Sequence, residues 1–241
     1  MNMTLEKILQ SQGFGSRKHC RSLILGSRVA IGGETCTDPD TLIETGKLVF
    51  SIDGEPWAYR EKLYLMLHKP AGYECSHQPQ HHQSVFSLLP QPFINRGIQC
   101  VGRLDQDTTG LLLLSDDGQF IHQYTSPKKN IPKIYHITAI HPVTPEQAGK
   151  LETGVILRDE KTVTKALACR ITGERSLSLT ITEGKYHQVK RMVAAAGNRV
   201  DKLHRSAIGD LVLPDTLPAG HWCFLDKADL QKPEENSTAH T

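Results

Sequence analysis

Three short stretches of this chain carry residue types suited to chemistry on a sugar or a base. The first runs Val101-Gly102-Arg103-Leu104-Asp105-Gln106-Asp107-Thr108-Thr109-Gly110 and leads straight into the apolar run Leu111–Leu114. It sets one carboxylate, Asp105, between an arginine and a Thr-Thr-Gly turn, against a strand that must be buried. Polar groups in such a place cost stability unless they are paired, so they usually serve a site. A carboxylate acting as base or nucleophile must stay ionised while shielded from water, which calls for a cation beside it. The second and third stretches, Lys133-Ile134-Tyr135 and Glu183-Gly184-Lys185-Tyr186-His187-Gln188-Val189-Lys190-Arg191-Met192, supply the rest. Lys190 or Arg191 offers the cation, and Tyr135 offers a ring to lie on a planar base and a hydroxyl to move a proton. Together they suggest chemistry on a flipped nucleobase or its sugar.

Metal chemistry fits less well. Asp105 and Asp107 form an Asp-x-Asp pair, but no further carboxylate follows, and Asp107 is expected to cap or brace the Thr-Thr-Gly turn. Cys75, His77, His81 and His82 fall in a Gln/Pro-rich loop with no second Cys/His pair at finger spacing, so a solvated loop is expected there. Asp116-Asp117-Gly118 reads as a tight turn after the leucine strand, and Pro70 as fixing the exit of the strand that ends at Lys69.

The chain divides into two parts, and the second must bring these stretches together. Leu5, Ile8 and Leu9 recur at helical spacing with Gly13 as a stop. Ser16 is an N-cap for a second helix, whose apolar face is Cys20, Leu23, Ile24 and Leu25. Val29–Ile31 and Leu48–Ile52 are short strands, turned at Gly32-Gly33 and ended by Asp53-Gly54, and 55–60 reads as a linker. A second domain then opens with the buried strand Leu63–Leu67. Strands are expected over 134–140 and 177–182, a helix from Pro145 to near Gly154, and another over 187–196 closed by Gly197-Asn198. The expected fold is α+β with a large mixed, mostly antiparallel sheet. The expected division is 1–58, 59–232 and a disordered tail at 233–241.

The 241 residues carry a net charge of only +2, so charge as a whole names no partner. Its distribution is more telling. Residues 1–30 hold five Lys/Arg (Lys7, Arg17, Lys18, Arg21, Arg28) against Glu6 alone, and residues 184–205 hold six against Asp201 alone. Two basic patches on a near-neutral chain suit an extended polyanion, RNA or DNA. No apolar run approaches the roughly 18 residues of a membrane helix, and no signal peptide is expected. Six scattered cysteines read as reduced thiols of a cytoplasmic protein.

The order Leu5, Gly13, Ser16-Arg17, Leu23-Ile24, Arg28-Val29, Gly33-Glu34 resembles the S4 RNA-binding module. That resemblance implies that the helix bearing Arg17, Lys18 and Arg21 docks on structured RNA. The stretch Gly102-Arg103-Leu104-Asp105-x-x-Thr108-x-Gly110-Leu111-Leu112 resembles the signature of the RNA pseudouridine synthases, and the S4-bearing RsuA-like group matches best. Leu67-x-Lys69-Pro70-x-Gly72-Tyr73, Lys133-x-Tyr135, the 183–192 stretch and Leu203-His204-Arg205-x-x-Ile208-Gly209 follow in the family's order. The match spans residue 1 to about residue 225. Such enzymes break the bond between base and ribose of a uridine and rejoin the ribose to C5, without cofactor or metal.

The resemblance implies that Asp105 is the essential carboxylate, Tyr135 stacks on the uracil, Lys190 pairs with Asp105 and Leu203 packs on the other side of the base. Many relatives have arginine at the position of Lys190, which leaves Arg191 as an alternative partner. Arg103, Thr108, Thr109, Lys133, Tyr186, His187, Gln188, Arg191 and Arg205 are the implied contacts to substrate RNA. The Asp105-x-Asp107-Thr108-Thr109-Gly110 spelling, Asp116-Asp117-Gly118 and Thr125-Ser126-Pro127 look most like the branch acting on 16S small-subunit rRNA. The implied partner is ribosomal RNA or a partly assembled small subunit, met by a monomer with no membrane attachment. A large-subunit enzyme and a non-catalytic ribosome assembly factor are the rival readings.

Overall fold

The structure is a computed structural model that describes residues 1–158 and 160–230; the expected tail at 233–241 lies outside the described residues. No helix among them is long and apolar enough to cross a membrane. The chain divides into two compact units, Met1–Leu63 with Leu89–Gln99, and Tyr64–Leu88 with the chain from Cys100 on.

In the first unit, helices α1 (Leu5–Ser11) and α2 (Arg17–Leu25) pack on a small antiparallel sheet. That sheet contains β1 (Val29–Ile31), β2 (Glu34–Cys36), β3 (Val49–Ile52) and β4 (Glu55–Ala58), in the order β2-β1-β3-β4. Ser16 caps α2 by accepting the His19 N–H, as its side chain is suited to do. Leu5, Ile8, Leu9, Cys20 and Ile24 are wholly buried together with Val29 and Phe50. Residues 55–60 are not simply a linker. Glu55–Ala58 pairs with β3, setting Trp57 opposite Phe50, and Pro56 is tolerated because β4 is the edge strand.

The boundary also differs from expectation. Leu89–Gln99 belongs to the first unit, where Phe93 packs edge-on against Trp57 and Asn95 Nδ2 donates to the Gly13 carbonyl at 2.8 Å. Gly13 (φ +85°) makes this approach possible, because a Cβ there would lie 2.0 Å from the Pro92 oxygen.

The second unit is built on a nine-stranded mixed sheet, counted among the described residues. Its strands are β5 (Tyr64–Lys69), β6 (Thr109–Ser115), β7 (Lys133–Ala139), β8 (Ala168–Gly173), β9 (Ser176–Ile181), β10 (Val200–Ile208) and β11 (Trp222–Phe224), with two short additions. The order is β8-β9-β7-β10-β6-β5-β11. These pairings are antiparallel except β6–β10, which is parallel. At that parallel seam Gly110 lies opposite Arg205 at φ +106°, and a Cβ would meet the Arg205 oxygen at 2.2 Å. The glycine of Thr-Thr-Gly is what lets β6 and β10 close up. Leu111 to Leu114 are all fully buried, as a strand covered on both faces must be.

Asp116-Asp117-Gly118 is more than a turn. Asp117 caps the helix α3 (Gly118–Thr125) by accepting the Gln119 N–H at 2.9 Å. Helix α4 (Pro145–Thr153) and helix α5 (Gln188–Ala195) complete the elements needed below.

Candidate active site

Asp105 lies on the loop between Val101 and β6, and a neighbouring segment holds that loop at several points. Lys69, at the end of β5, is 0% exposed. Its Nζ donates to the carbonyls of Pro70 (3.0 Å), Gln106 (3.1 Å) and Thr108 (2.9 Å). Gly72 N–H donates to the Gln106 oxygen at 2.8 Å, and Leu104 N–H to the Cys75 sulfur at 3.5 Å. Burial pushes the Lys69 ammonium below its usual range, with the nearby thiols and carboxylates acting in the opposite sense. Fixing Pro70's strand exit, as the sequence suggested, misses this lysine's tie to the loop. A signal for it exists in the pattern: Leu65, Leu67 and Lys69 alternate along one strand, which puts the lysine on their buried face.

The partner cation comes from α5. Val189, Met192 and Val193 bury one side of this helix, leaving Lys190 turned toward the loop. Lys190 Nζ is 3.0 Å from Asp105 Oδ2 and 2.6 Å from Asp107 Oδ1. Asp107 therefore holds Lys190 rather than only bracing its turn. Burial alone would raise the Asp107 carboxyl, but Lys190's hydrogen bond and charge hold it below its usual range. In the same way burial works against the Lys190 ammonium, and the two carboxylates raise it.

Arg191, the next residue along the helix, points about 100° round from Lys190 and makes no ion pair with Asp105. It instead pairs with Glu160 at 2.9 Å and donates to the carbonyls of Arg158 and Tyr186. His187 brings Nε2 to within 3.4 Å of Asp105 Oδ1.

These groups open on a cavity of about 860 Å³. Tyr135 and Lys133 enter its wall from β7, Leu203 and Arg205 from β10, and the exposed Arg103 and buried Thr108 from the Asp105 loop. Arg205 is 3% exposed. Its Nε donates to the Leu111 carbonyl at 2.9 Å and its Nη1 to the Tyr135 hydroxyl at 3.4 Å, while Nη2 has no acceptor. Lys133 Nζ donates to the carbonyls of Ile131 and Thr182, and burial, then Arg205, lowers its ammonium's range. Tyr186, His187 and Gln188 line the cavity where α5 begins, with Gln188 buried and its Oε1 accepting Lys185 N–H.

Some expected site residues stand elsewhere. Thr109 is not in the cavity wall; its hydroxyl lies 2.9 Å from His204 Nδ1. In the first unit Arg17 and Arg21 clamp the buried Glu6 at 2.6 and 2.8 Å, and Arg21 also reaches Asp40 at 3.3 Å. The hydrogen bond from Arg21, opposed by burial and helped by Arg17, holds Glu6 below the usual carboxylate range. Of the three basic residues on α2, Lys18 is exposed while two spend charge on an internal acid, which the one-sided count of Lys and Arg could not reveal. Cys75 faces the Asp105 loop, His77 stacks on Phe86 at 3.6 Å, and the backbones of His81 and His82 bind Glu74. Among the described residues, no His, Cys, Asp and Glu converge as ligands to a metal.

A sequence model of RNA pseudouridylate synthases matches residues 63–195, and an S4 domain matches residues 3–49. The chain belongs to the RNA pseudouridylate synthase family. It is 38% identical over 230 residues to a ribosomal small subunit pseudouridine synthase A of Vibrio parahaemolyticus, covering 95% of this chain and 98% of that relative. The protein of the same description from Yersinia pestis is 40% identical over 221 residues, 91% and 93% of the two chains. A solved structure described as a pseudouridylate synthase superposes with a TM-score of 0.67 at 36% identity, over 95% of this chain and 98% of that one. Members of this family are isomerases, and this synthase pairs the catalytic fold with an N-terminal S4 domain.

Proposed function

We propose that this synthase converts a specific uridine of small-subunit 16S ribosomal RNA to pseudouridine, with Asp105 as the essential carboxylate. The observation that carries the reading is the Lys190–Asp105 pair at 3.0 Å, opening on a cavity with Tyr135 in its wall. The ammonium stands against the carboxylate that either attacks the ribose or takes a ribose proton. The reaction is an isomerisation: the base–ribose bond breaks, the uracil turns, and the ribose rejoins at C5, whose proton leaves for N1 or solvent. No oxidant, reductant or second substrate enters.

Tyr135 offers its ring to one face of the uracil and Leu203 packs on the other. The buried Nη2 of Arg205 lacks an acceptor, and a carbonyl oxygen of an inserted base satisfies it. Arg103, exposed at the cavity, contacts the RNA backbone or fills the gap left in the strand. The S4 domain, through Lys18 and the exposed parts of Arg17 and Arg21, holds structured RNA without reading sequence. The small-subunit target is supported by what the relatives from Vibrio parahaemolyticus and Yersinia pestis are named for.

The test maps pseudouridine by carbodiimide treatment and primer extension in ribosomal RNA from a strain lacking this protein. Loss of one small-subunit signal is expected, restored by the wild-type chain and not by Asp105→Asn. A signal lost only from large-subunit RNA overturns the target, and full restoration by Asp105→Asn overturns the catalytic role.

A further inference from the structure

At the mouth of the cavity stands Tyr186, 74% exposed, while every other Phe, Tyr and Trp among the described residues is at least partly covered. Its ring does not lie flat on the protein surface. It stacks on the imidazole of His187, with centroids 3.8 Å apart and planes 20° apart, so its outer face is turned to solvent. His187 in turn reaches the catalytic carboxylate, with Nε2 3.4 Å from Asp105 Oδ1. The two rings and Asp105 thus form one continuous edge of the site.

The turn that presents them is held from several sides. Gln188, buried, accepts the Lys185 N–H at 2.9 Å and returns its own N–H to the Lys185 carbonyl at 3.2 Å. Arg191 Nη1 donates to the Tyr186 carbonyl at 3.2 Å. Glu160 holds both Lys185 (2.8 Å) and Arg191 (2.9 Å). Within this frame His187 adopts the left-handed region, φ +45° and ψ +34°, unusual for a residue with a Cβ. A strained, many-point anchorage for an exposed ring fits a surface prepared before its ligand arrives.

We infer that Tyr186 and His187 form a stacking platform for the nucleobase next to the flipped uridine. This rests on the synthase reading above. A flat aromatic face, continuous with the catalytic edge and lining the same cavity as the exposed Arg103, suits a planar base on a phosphate chain. Stacking of this kind accepts any base, so it positions the strand rather than choosing its sequence. It also offers the extruded nucleotide's neighbour a substitute for the stacking partner it loses.

The experiment measures pseudouridine formation on a small-subunit rRNA transcript, bare and partly assembled with small-subunit proteins, by wild-type enzyme and by Tyr186→Ala, Tyr186→Phe and Tyr186→Trp. Binding of the same transcript is measured in an Asp105→Asn background. The expected result is a KM raised roughly ten- to a hundredfold in Tyr186→Ala, with kcat little changed, a matching loss of binding, and rescue by Phe and Trp. Equal failure of Ala and Phe overturns the platform, because the hydroxyl rather than the ring face is then at work. An unchanged KM on the transcript in Tyr186→Ala also overturns it, and a defect confined to assembled particles assigns the ring to a protein partner instead. Wild-type enzyme that binds both substrates and converts neither marks failure of the synthase reading, which the binding measurement separates from failure of the platform.

Discussion

Lys190 bonds Asp107 more closely, at 2.6 Å, than it bonds Asp105, at 3.0 Å. One ammonium therefore serves two carboxylates, one in the role proposed for catalysis and one that fixes the ammonium in place. Removing the cation strips Asp105 of its 3.0 Å partner and leaves only the His187 ring, at 3.4 Å, beside the carboxylate. Lys190→Met is expected to lower kcat by roughly a hundredfold, about 2.7 kcal/mol of transition-state stabilisation. Lys190→Arg keeps the charge and spans both acceptors with its fork, so most activity remains. Asp107→Asn leaves Asp105 its cation and lowers kcat by less than roughly tenfold. Steady-state turnover of the wild type and these variants checks this ranking, and an Asp107→Asn no more active than Lys190→Met sinks it.

Lys69 acts one step further from the chemistry. Its three acceptors are the backbone carbonyls of neighbouring Pro70 and of Gln106 and Thr108 in the Asp105 loop, and replacing it with methionine strips them of this donor, leaving Gln106 the Gly72 N–H. Unpaired buried carbonyls cost about 1–3 kcal/mol each where they stay dry. Lys69→Met is expected to lose about 3 kcal/mol in urea unfolding and to reduce kcat more than it raises KM. Wild-type stability in that variant would show that the loop is held by other means.

These two lysines show where the sequence was legible and where it was not. Local signals were read well: Ser16 capping α2, Leu111–Leu114 as a buried strand, the helix opened by Pro145. Signals that depend on partners far along the chain were not. Glu6 lies 11 and 15 residues before the arginines that clamp it, and Asp107 lies 83 residues before Lys190. Helix α3 was missed because Asp116-Asp117-Gly118 has turn composition, although Asp117 is equally a helix cap. The strand Glu55–Ala58 was hidden by Pro56, which only an edge position permits. Which side chains converge on the cavity was suggested by family resemblance rather than by periodicity. Resemblance alone left Arg191 as a rival to Lys190, and it took the helical geometry to separate them.

The pH response of stability has a definite sign. His204 is pushed below the usual imidazole range by burial, then by His68 and His136, and its Nδ1 lies 2.9 Å from the Thr109 hydroxyl. A histidine whose folded pKa is depressed binds its proton more readily in the unfolded chain. Its contribution is present above the unfolded value, about 6.5, and is lost as pH falls from there through the folded value. The pair of Asp107 (lowered) and Lys190 (raised) contributes no change in that window, since it is lost only in acid below the ordinary carboxylate range or in alkali above the ordinary lysine range. The thermal midpoint is expected to fall as pH drops from 7.5 to 5.5, and His204→Asn should flatten that slope. An unchanged slope in His204→Asn would assign it to another group.

Cys75 offers a chemical handle on the loop. A hydrogen bond from Cys100 lowers its thiol below the ordinary range, burial opposes this, and Leu104 N–H, Lys69 and Arg205 add to the lowering. By contrast burial pushes Cys169 up to about 11. Thiolate character governs alkylation, so Cys75 should react with N-ethylmaleimide well ahead of Cys169 near neutral pH. The adduct displaces the Leu104 N–H bond one residue before Asp105, so turnover should fall in step with labelling of Cys75. Cys75→Ser keeps an acceptor for that N–H and resists the reagent. Peptide mapping by mass spectrometry against residual activity checks both claims. Inactivation of Cys75→Ser at the wild-type rate would place the sensitive thiol elsewhere.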